Sequence, residues 1–125
     1  MLRKGRIDYR MQRRALLRQL ASGARAGDEV RDGHPDLYRA AQHLGTPMDQ
    51  SCPLCEHELT KVIYVFDDPV RHPGGRAVPA ESLPGHVDRF GQVRVFEVEA
   101  CCGCHWHHLI ESYDLCARDT DVSAG

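Results

Sequence analysis

The stretches Cys52-Pro53-Leu54-Cys55 and Val95-Phe96-Glu97-Val98-Glu99-Ala100-Cys101-Cys102-Gly103-Cys104 decide how this chain is read. Each holds a pair of cysteines two residues apart, and strand-like sequence connects them. Four thiolates supply the soft, tetrahedral environment that zinc favours, at roughly 2.3 Å per Zn–S contact. Two intervening residues let each pair bend into a knuckle, so that backbone amides can point at the sulfurs. Pro53 pre-sets the bend in the first knuckle, and Gly103 permits the tight turn of the second. The spacing predicts one structural zinc ion on Cys52, Cys55, Cys101 and Cys104. A ribbon of roughly 65 residues is marginal on its own core, and structural zinc supplies an apparent binding energy of roughly 10–16 kcal/mol at neutral pH.

The competing chemistry for a Cys-x-x-Cys pair is thiol–disulfide exchange. That motif belongs at a helix N-terminus after a buried strand, a setting neither pair has. The basic start of the chain (Arg3, Lys4, Arg6) is not followed by an apolar signal core, because Arg18 interrupts Ala15 to Ala21. No apolar run approaches the length of a membrane span. These features predict a cytoplasmic protein whose thiols stay reduced. Two cysteines are left over. Cys102 offers a rival register within the second knuckle, and Cys116 lies beyond the last strand; both read as small buried or incidental residues.

His105, His107 and His108 crowd the second knuckle. Strand alternation would place Trp106, His108 and Ile110 on one face and His105, His107 and Leu109 on the other, splitting the cluster. A metal holding four thiolates also has no open position for water or substrate. The histidines therefore read as structural, and Trp106 as a core plate beside the metal. His57, His72 and His86 are scattered. No triad, paired-carboxylate or phosphate-loop signature is present. The expectation is a non-enzymatic protein with no catalytic residue and no small-molecule substrate evident in the sequence.

Outward from the knuckles, Leu59–Phe66, Val93–Ala100 and His105–Tyr113 read as three strands. Residues 67–91, rich in proline and glycine, read as a long loop. Upstream, Asp8 and Gly23 bracket a helix from about Tyr9 to Ser22 with a thin apolar side of Ile7, Met11, Ala15, Leu16 and Leu20. His34-Pro35 opens a second helix with Leu37, Ala40, Ala41 and Leu44 on one face, stopped by Gly45. The predicted fold class is α+β, a helical N-terminal segment packed on a small three-stranded antiparallel zinc ribbon. The predicted organisation is a basic helical segment over residues 1–48, the four-cysteine ribbon over 49–116 with its 67–91 loop, and a disordered tail over 117–125.

The formal charge of −2 hides an asymmetry. Residues 1–31 carry nine basic side chains against three acids, and the remainder carries seven against fifteen. Arg10, Arg14 and Arg18 recur at i, i+4, i+8 with Arg13 beside them. This stripe is the candidate contact with a nucleic acid or protein partner, or else a complement to Glu97 and Glu99 on the strands. The favoured expectation is a binding or regulatory module on a nucleic acid or nucleoprotein machine. The alternative is a protein–protein adaptor in which zinc is purely structural.

Residue patterns also carry a family resemblance. CPLC at 52–55, VIYVFDD at 62–68, Gly75-Arg76 and VFEVEACCGCHWHHLIESYDL at 95–115 resemble an actinobacterial family of small proteins known only as a domain of unknown function. Arg14-Ala15-Leu16-Leu17, Ser22-Gly23, His34-Pro35-Asp36-Leu37 and Ala40-Ala41 are similar to its N-terminal half. The resemblance spans roughly residues 9 to 115. It implies a helical N-terminal segment on a four-cysteine ribbon and implies no activity. The chain departs from the family pattern at His107, where the family has asparagine. It also departs at Arg31, near which the family has a cysteine, and at Pro84-Gly85, which interrupts a family helix.

Overall fold

The computed structural model describes residues 1–117. In chain order the elements are β1 (Leu2–Asp8), α1 (Arg10–Ser22), a 3-10 turn (Gly27–Val30), α2 (Pro35–Leu44), β2 (Thr46–Ser51), β3 (Glu58–Phe66) and β4 (Arg76–Val78). A second 3-10 turn (Ala80–Ser82), α3 (Leu83–Phe90), β5 (Gln92–Ala100) and β6 (His107–Cys116) follow. The strands form one six-stranded sheet in the order β1-β6-β5-β3-β2, with β4 also on β3. Every pairing is antiparallel. β5 lines one edge of β3; β2 and β4 share the other, β2 against residues 58–61 and β4 against 63–65.

This overturns the expected helical N-terminal segment packed on a small three-stranded ribbon. The three expected strands are the sheet's centre, and three more were invisible to an apolar pattern. β1 reads LRKGRID and buries no side chain; it is a strand because its backbone pairs with β6. Charged side chains and a register shift between Lys4 and Ile7 suit an outer strand, which must not recruit another chain. β2 (TPMDQS) is equally polar, carries Pro47 and pairs irregularly with β3. The sheet therefore draws strands from both sides of the expected 48/49 boundary. The tail expected to be disordered lies, from residue 118, outside the described residues.

The predicted 67–91 loop is likewise corrected. Leu83 and Val87 of α3 pack among Ile63, Val65, Val93, Val95 and Tyr113. Pro84 does not break this helix, because it lies in the first turn, where no backbone N–H is required. Gly85 has nothing within 4 Å of where a Cβ would stand, so it simply adds no side chain. Asp67 anchors the excursion: its Oδ2 lies 2.6 Å from Nδ1 of His86 and 3.4 Å from Arg76. Burial pushes the Asp67 carboxyl up, but the His86 hydrogen bond and the Arg76 charge outweigh it and hold it below the usual range. Limited proteolysis with trypsin is therefore expected to cut first after exposed Arg71, which precedes β4. Arg76 and Arg89, held in β4 and α3, should resist. Early cleavage after Arg89 would mean that α3 is not packed as described.

Alternation on the strands sorts the rest. α1 and α3 cover the face of Leu59, Val65, Val93, Val95, Glu97 and Glu99; α2 covers the face of Val62, Val98 and Ala100. The predicted α2 stripe packs as expected through Leu37, Ala40 and Ala41, joined by buried Tyr38. Gly45 ends it without a left-handed residue (φ −77°). Its role is space: a Cβ there would fall 2.2 Å from Thr60 Cγ2 and 2.5 Å from the Ala41 carbonyl. α1 has no fully buried residue. Leu16, Leu17 and Leu20 meet the cysteine end of the sheet, while Met11 is 76% exposed.

Candidate metal centre

The first knuckle fills the turn between β2 and β3, the second the turn between β5 and β6, and they share one backbone plan. Cys52 N donates to the His57 carbonyl at 2.6 Å, and Glu56 N to the Cys52 carbonyl at 3.1 Å. The second knuckle is framed in the same way: Cys101 N donates to Trp106 O at 2.8 Å, and His105 N to Cys101 O at 2.9 Å. Glu56 and His105, each one residue past its pair, both adopt φ 69°. The two turns thus repeat one another although their sequences share little beyond the cysteines. In each, an amide points at the first sulfur, from Leu54 to Cys52 and from Cys104 to Cys101, both at 3.4 Å.

The knuckles bring the four predicted sulfurs within 4.8 Å of one another. Cys52 Sγ lies 3.7 Å from Cys104 Sγ, and Cys55 Sγ 3.3 Å from Cys101 Sγ. Sulfurs at tetrahedral corners about a metal with 2.3 Å bonds would stand roughly 3.8 Å apart. The group can therefore hold a metal ion with small adjustments of side-chain angle. Among the described residues it is the only such group of three or more His, Cys, Asp or Glu side chains. Without a dication these sulfurs cannot all ionise: burial pushes the Cys101 thiol up to about 12 and raises Cys52. Cys55 is pulled down to about 6, chiefly by the backbone hydrogen bond from His57. Metal binding must release protons from the buried pair.

Cys102 is exposed, its sulfur 3.9 Å from the Tyr38 carbonyl, and it does not join the four. Cys116 is buried, its sulfur 3.4 Å from the Leu2 carbonyl where β1 meets β6. The histidines separate by alternation as predicted, Trp106 and His108 sharing one side and His105 and His107 the other. β6 shifts register so that Glu97 faces Glu111 while Val98 faces Leu109. Ile110 is the extra residue of this bulge. His105 stacks on Tyr38 at 4.2 Å, His107 Nε2 lies 3.4 Å from Asp32, and His108 lies over Trp106 at 6.0 Å. Sequence reasoning missed His57, whose Nδ1 is 3.1 Å from Cys55 Sγ and whose ring lies against Gly103. Its position two residues past a ligand was the available signal.

Trp106 is the core plate expected, with no exposed surface. Its Nε1 donates to Glu99 Oε2 at 3.0 Å, and Arg13 grips the same carboxylate with Nε at 2.6 Å and Nη2 at 3.0 Å. α1 is thereby pinned to the second knuckle through one buried acid. The basic head divides accordingly. Arg13 turns inward, Arg3 and Arg6 bind Glu111, and Arg10 binds Asp8. Arg14 and Arg18 stand exposed on the outer side of α1. Glu97 accepts from buried Tyr113 at 2.7 Å and lies 3.5 Å from Lys61.

No helix among the described residues is long and apolar enough to cross a membrane. Comparison with known proteins returns uncharacterised mycobacterial relatives. Uncharacterized protein Rv0049 of Mycobacterium tuberculosis is 41% identical over 110 residues, covering 87% of this chain and 80% of its own. Uncharacterized protein Mb0050 of Mycobacterium bovis matches to the same extent. No solved structure matches. The family of unknown function DUF5318 matches residues 1–124. With the family's extent and a relative at this identity in agreement, the chain belongs to that family of unknown function, DUF5318.

Proposed function

We propose that this protein is a non-enzymatic binding module of the cytoplasm, built around one structural zinc ion, which contacts a nucleic acid through the outer side of α1. Zinc is the ion that four thiolates at tetrahedral spacing suit, and four ligands leave no open position for chemistry. The observation that carries the macromolecular part is the division of the arginines. Arg13 faces the sheet, whereas Arg10, Arg14 and Arg18 are exposed and recur one helical turn apart. Such a row can follow successive phosphates. A second reading, a protein–protein adaptor, is favoured by Met11, 76% exposed between Arg10 and Arg14, since large flexible apolar side chains serve protein contacts.

Titrating single-stranded RNA and duplex DNA against the metal-loaded protein over a range of salt separates the readings. Under the first, log Kd rises steeply with log salt. The triple variant Arg10→Glu, Arg14→Glu, Arg18→Glu abolishes binding and leaves the unfolding midpoint nearly unchanged, because exposed ion pairs contribute little. Wild-type protein with no affinity for either nucleic acid at low salt refutes the nucleic-acid reading. A partner recovered from nuclease-treated lysate and lost with Met11→Asp would establish the adaptor.

A further inference from the structure

Apart from the metal centre, a cleft of about 440 Å³ opens between α1, the 3-10 turn at Gly27–Val30 and β6. Its apolar surface comes from Leu16, Val30 and Leu109, and the Tyr9 ring stands beside them. Three acceptors line the same cleft. His108 Nδ1 is 2.7 Å from the Leu109 carbonyl, a distance that requires the hydrogen on Nδ1 and leaves a lone pair on Nε2 of the neutral ring. Packing of that ring over Trp106 fixes its orientation. Glu29 and Asp32 add two carboxylates, with side chains 57% and 69% exposed and therefore accessible.

Against these acceptors the cleft holds Arg25 and the imidazole of His107, whose Nε2 is 3.4 Å from Asp32 Oδ1. Arg25 lies 3.2 Å from Gln19 Oε1 and 3.8 Å from Glu29, so the protein's own cation already occupies part of the rim. An anionic ligand would face two carboxylates and an imidazole lone pair. A cation carried on an apolar body would satisfy both halves of the lining, with the Tyr9 face available to it as well.

We propose that this cleft binds a small organic cation, an ammonium or amidinium group borne on a ring or short apolar body. The cationic head goes to Glu29, Asp32 and the His108 lone pair, and the apolar body rests on Leu16, Val30 and Leu109. The site is separate from the outer side of α1, and its occupancy does not depend on nucleic-acid binding.

Benzamidine and benzoate, similar in shape and opposite in charge, test this by amide-resolved NMR titration of the metal-loaded protein. Benzamidine is expected to bind saturably below about 10 mM, with shifts centred on residues 12–16, 29–32 and 107–109, while benzoate does not. Glu29→Gln and Asp32→Asn, both exposed and so expected to fold normally, should each weaken benzamidine about three- to five-fold, the range of exposed ion pairs. Arg25→Gln removes the resident cation and should tighten it. Benzoate binding as well as benzamidine, shifts centred elsewhere, weaker binding in Arg25→Gln, or no saturable benzamidine binding would each overturn the proposal.

Discussion

Chelating the metal is expected to unravel one end of this protein and spare the other. Cys52, Cys101, Leu59 and Trp106 form one apolar cluster with the inner side of α1. Without a dication, Cys52 and Cys101 become neutral thiols in a dry site, and the two knuckle turns lose the bond that joins them. A second cluster, Ile63, Val65, Val93, Val95, Tyr113, Leu83 and Val87 among it, shares no residue with the first. The expected result is a red shift of Trp106 emission and loss of amide protection around residues 52–59 and 100–108. Protection at Val93, Val95 and Tyr113 should persist. Cys→Ser at any of the four ligands should do the same, whereas Cys102→Ser should keep a full metal equivalent. Because protons compete for the thiolates, metal affinity should fall as pH falls. Unchanged Trp106 emission on metal removal would show that the centre does not hold this end together.

Arg13→Ala is expected to be the most damaging single change on α1, costing about 3 kcal/mol in urea unfolding of the metal-loaded protein. Glu99 is 4% exposed at its side chain and receives two bonds from Arg13 and one from Trp106. Removing the guanidinium leaves a buried carboxylate with only the indole N–H. Much of the cost is that of the stranded charge rather than of the lost contact, so Arg13→Met with Glu99→Met should recover most of it. Arg14→Ala and Arg18→Ala, exposed on the same helix, should change stability by under about 0.5 kcal/mol. Equal effects at positions 13 and 14 would mean that the helix does not dock through this carboxylate.

The contrast between neighbouring arginines marks where reading the chain stopped. Their helical spacing was legible, and so was the choice between a phosphate-facing row and a complement to Glu97 and Glu99. Which arginine turns inward depends on how α1 is rotated about its axis. Leu16, Leu17 and Leu20 set that rotation by packing against Leu59 and Trp106, residues at least 39 positions distant. The same limit applies to Ile110, which strict alternation placed beside Trp106 and His108 and which is instead the extra residue of a bulge, whereas the histidines before it keep their predicted faces.

What the sequence determined by itself was whatever is encoded locally or chemically. Two Cys-x-x-Cys pairs name their own ligands, β-branched runs mark the central strands, and His34-Pro35 and Gly45 mark the limits of α2. Only the tertiary structure decided that Leu2–Asp8 and Thr46–Ser51 are strands, that Leu83–Phe90 belongs to the core, and that His57 meets Cys55. An outer strand buries no apolar face and is held by hydrogen bonds from a neighbour's backbone, which no side-chain pattern records. The α3 segment has too few apolar residues to declare itself, yet Leu83 and Val87 suffice once β3, β5 and β6 present a surface to them. Local chemistry fixed the four-cysteine set that can hold a metal; long-range pairing fixed the sheet that carries it.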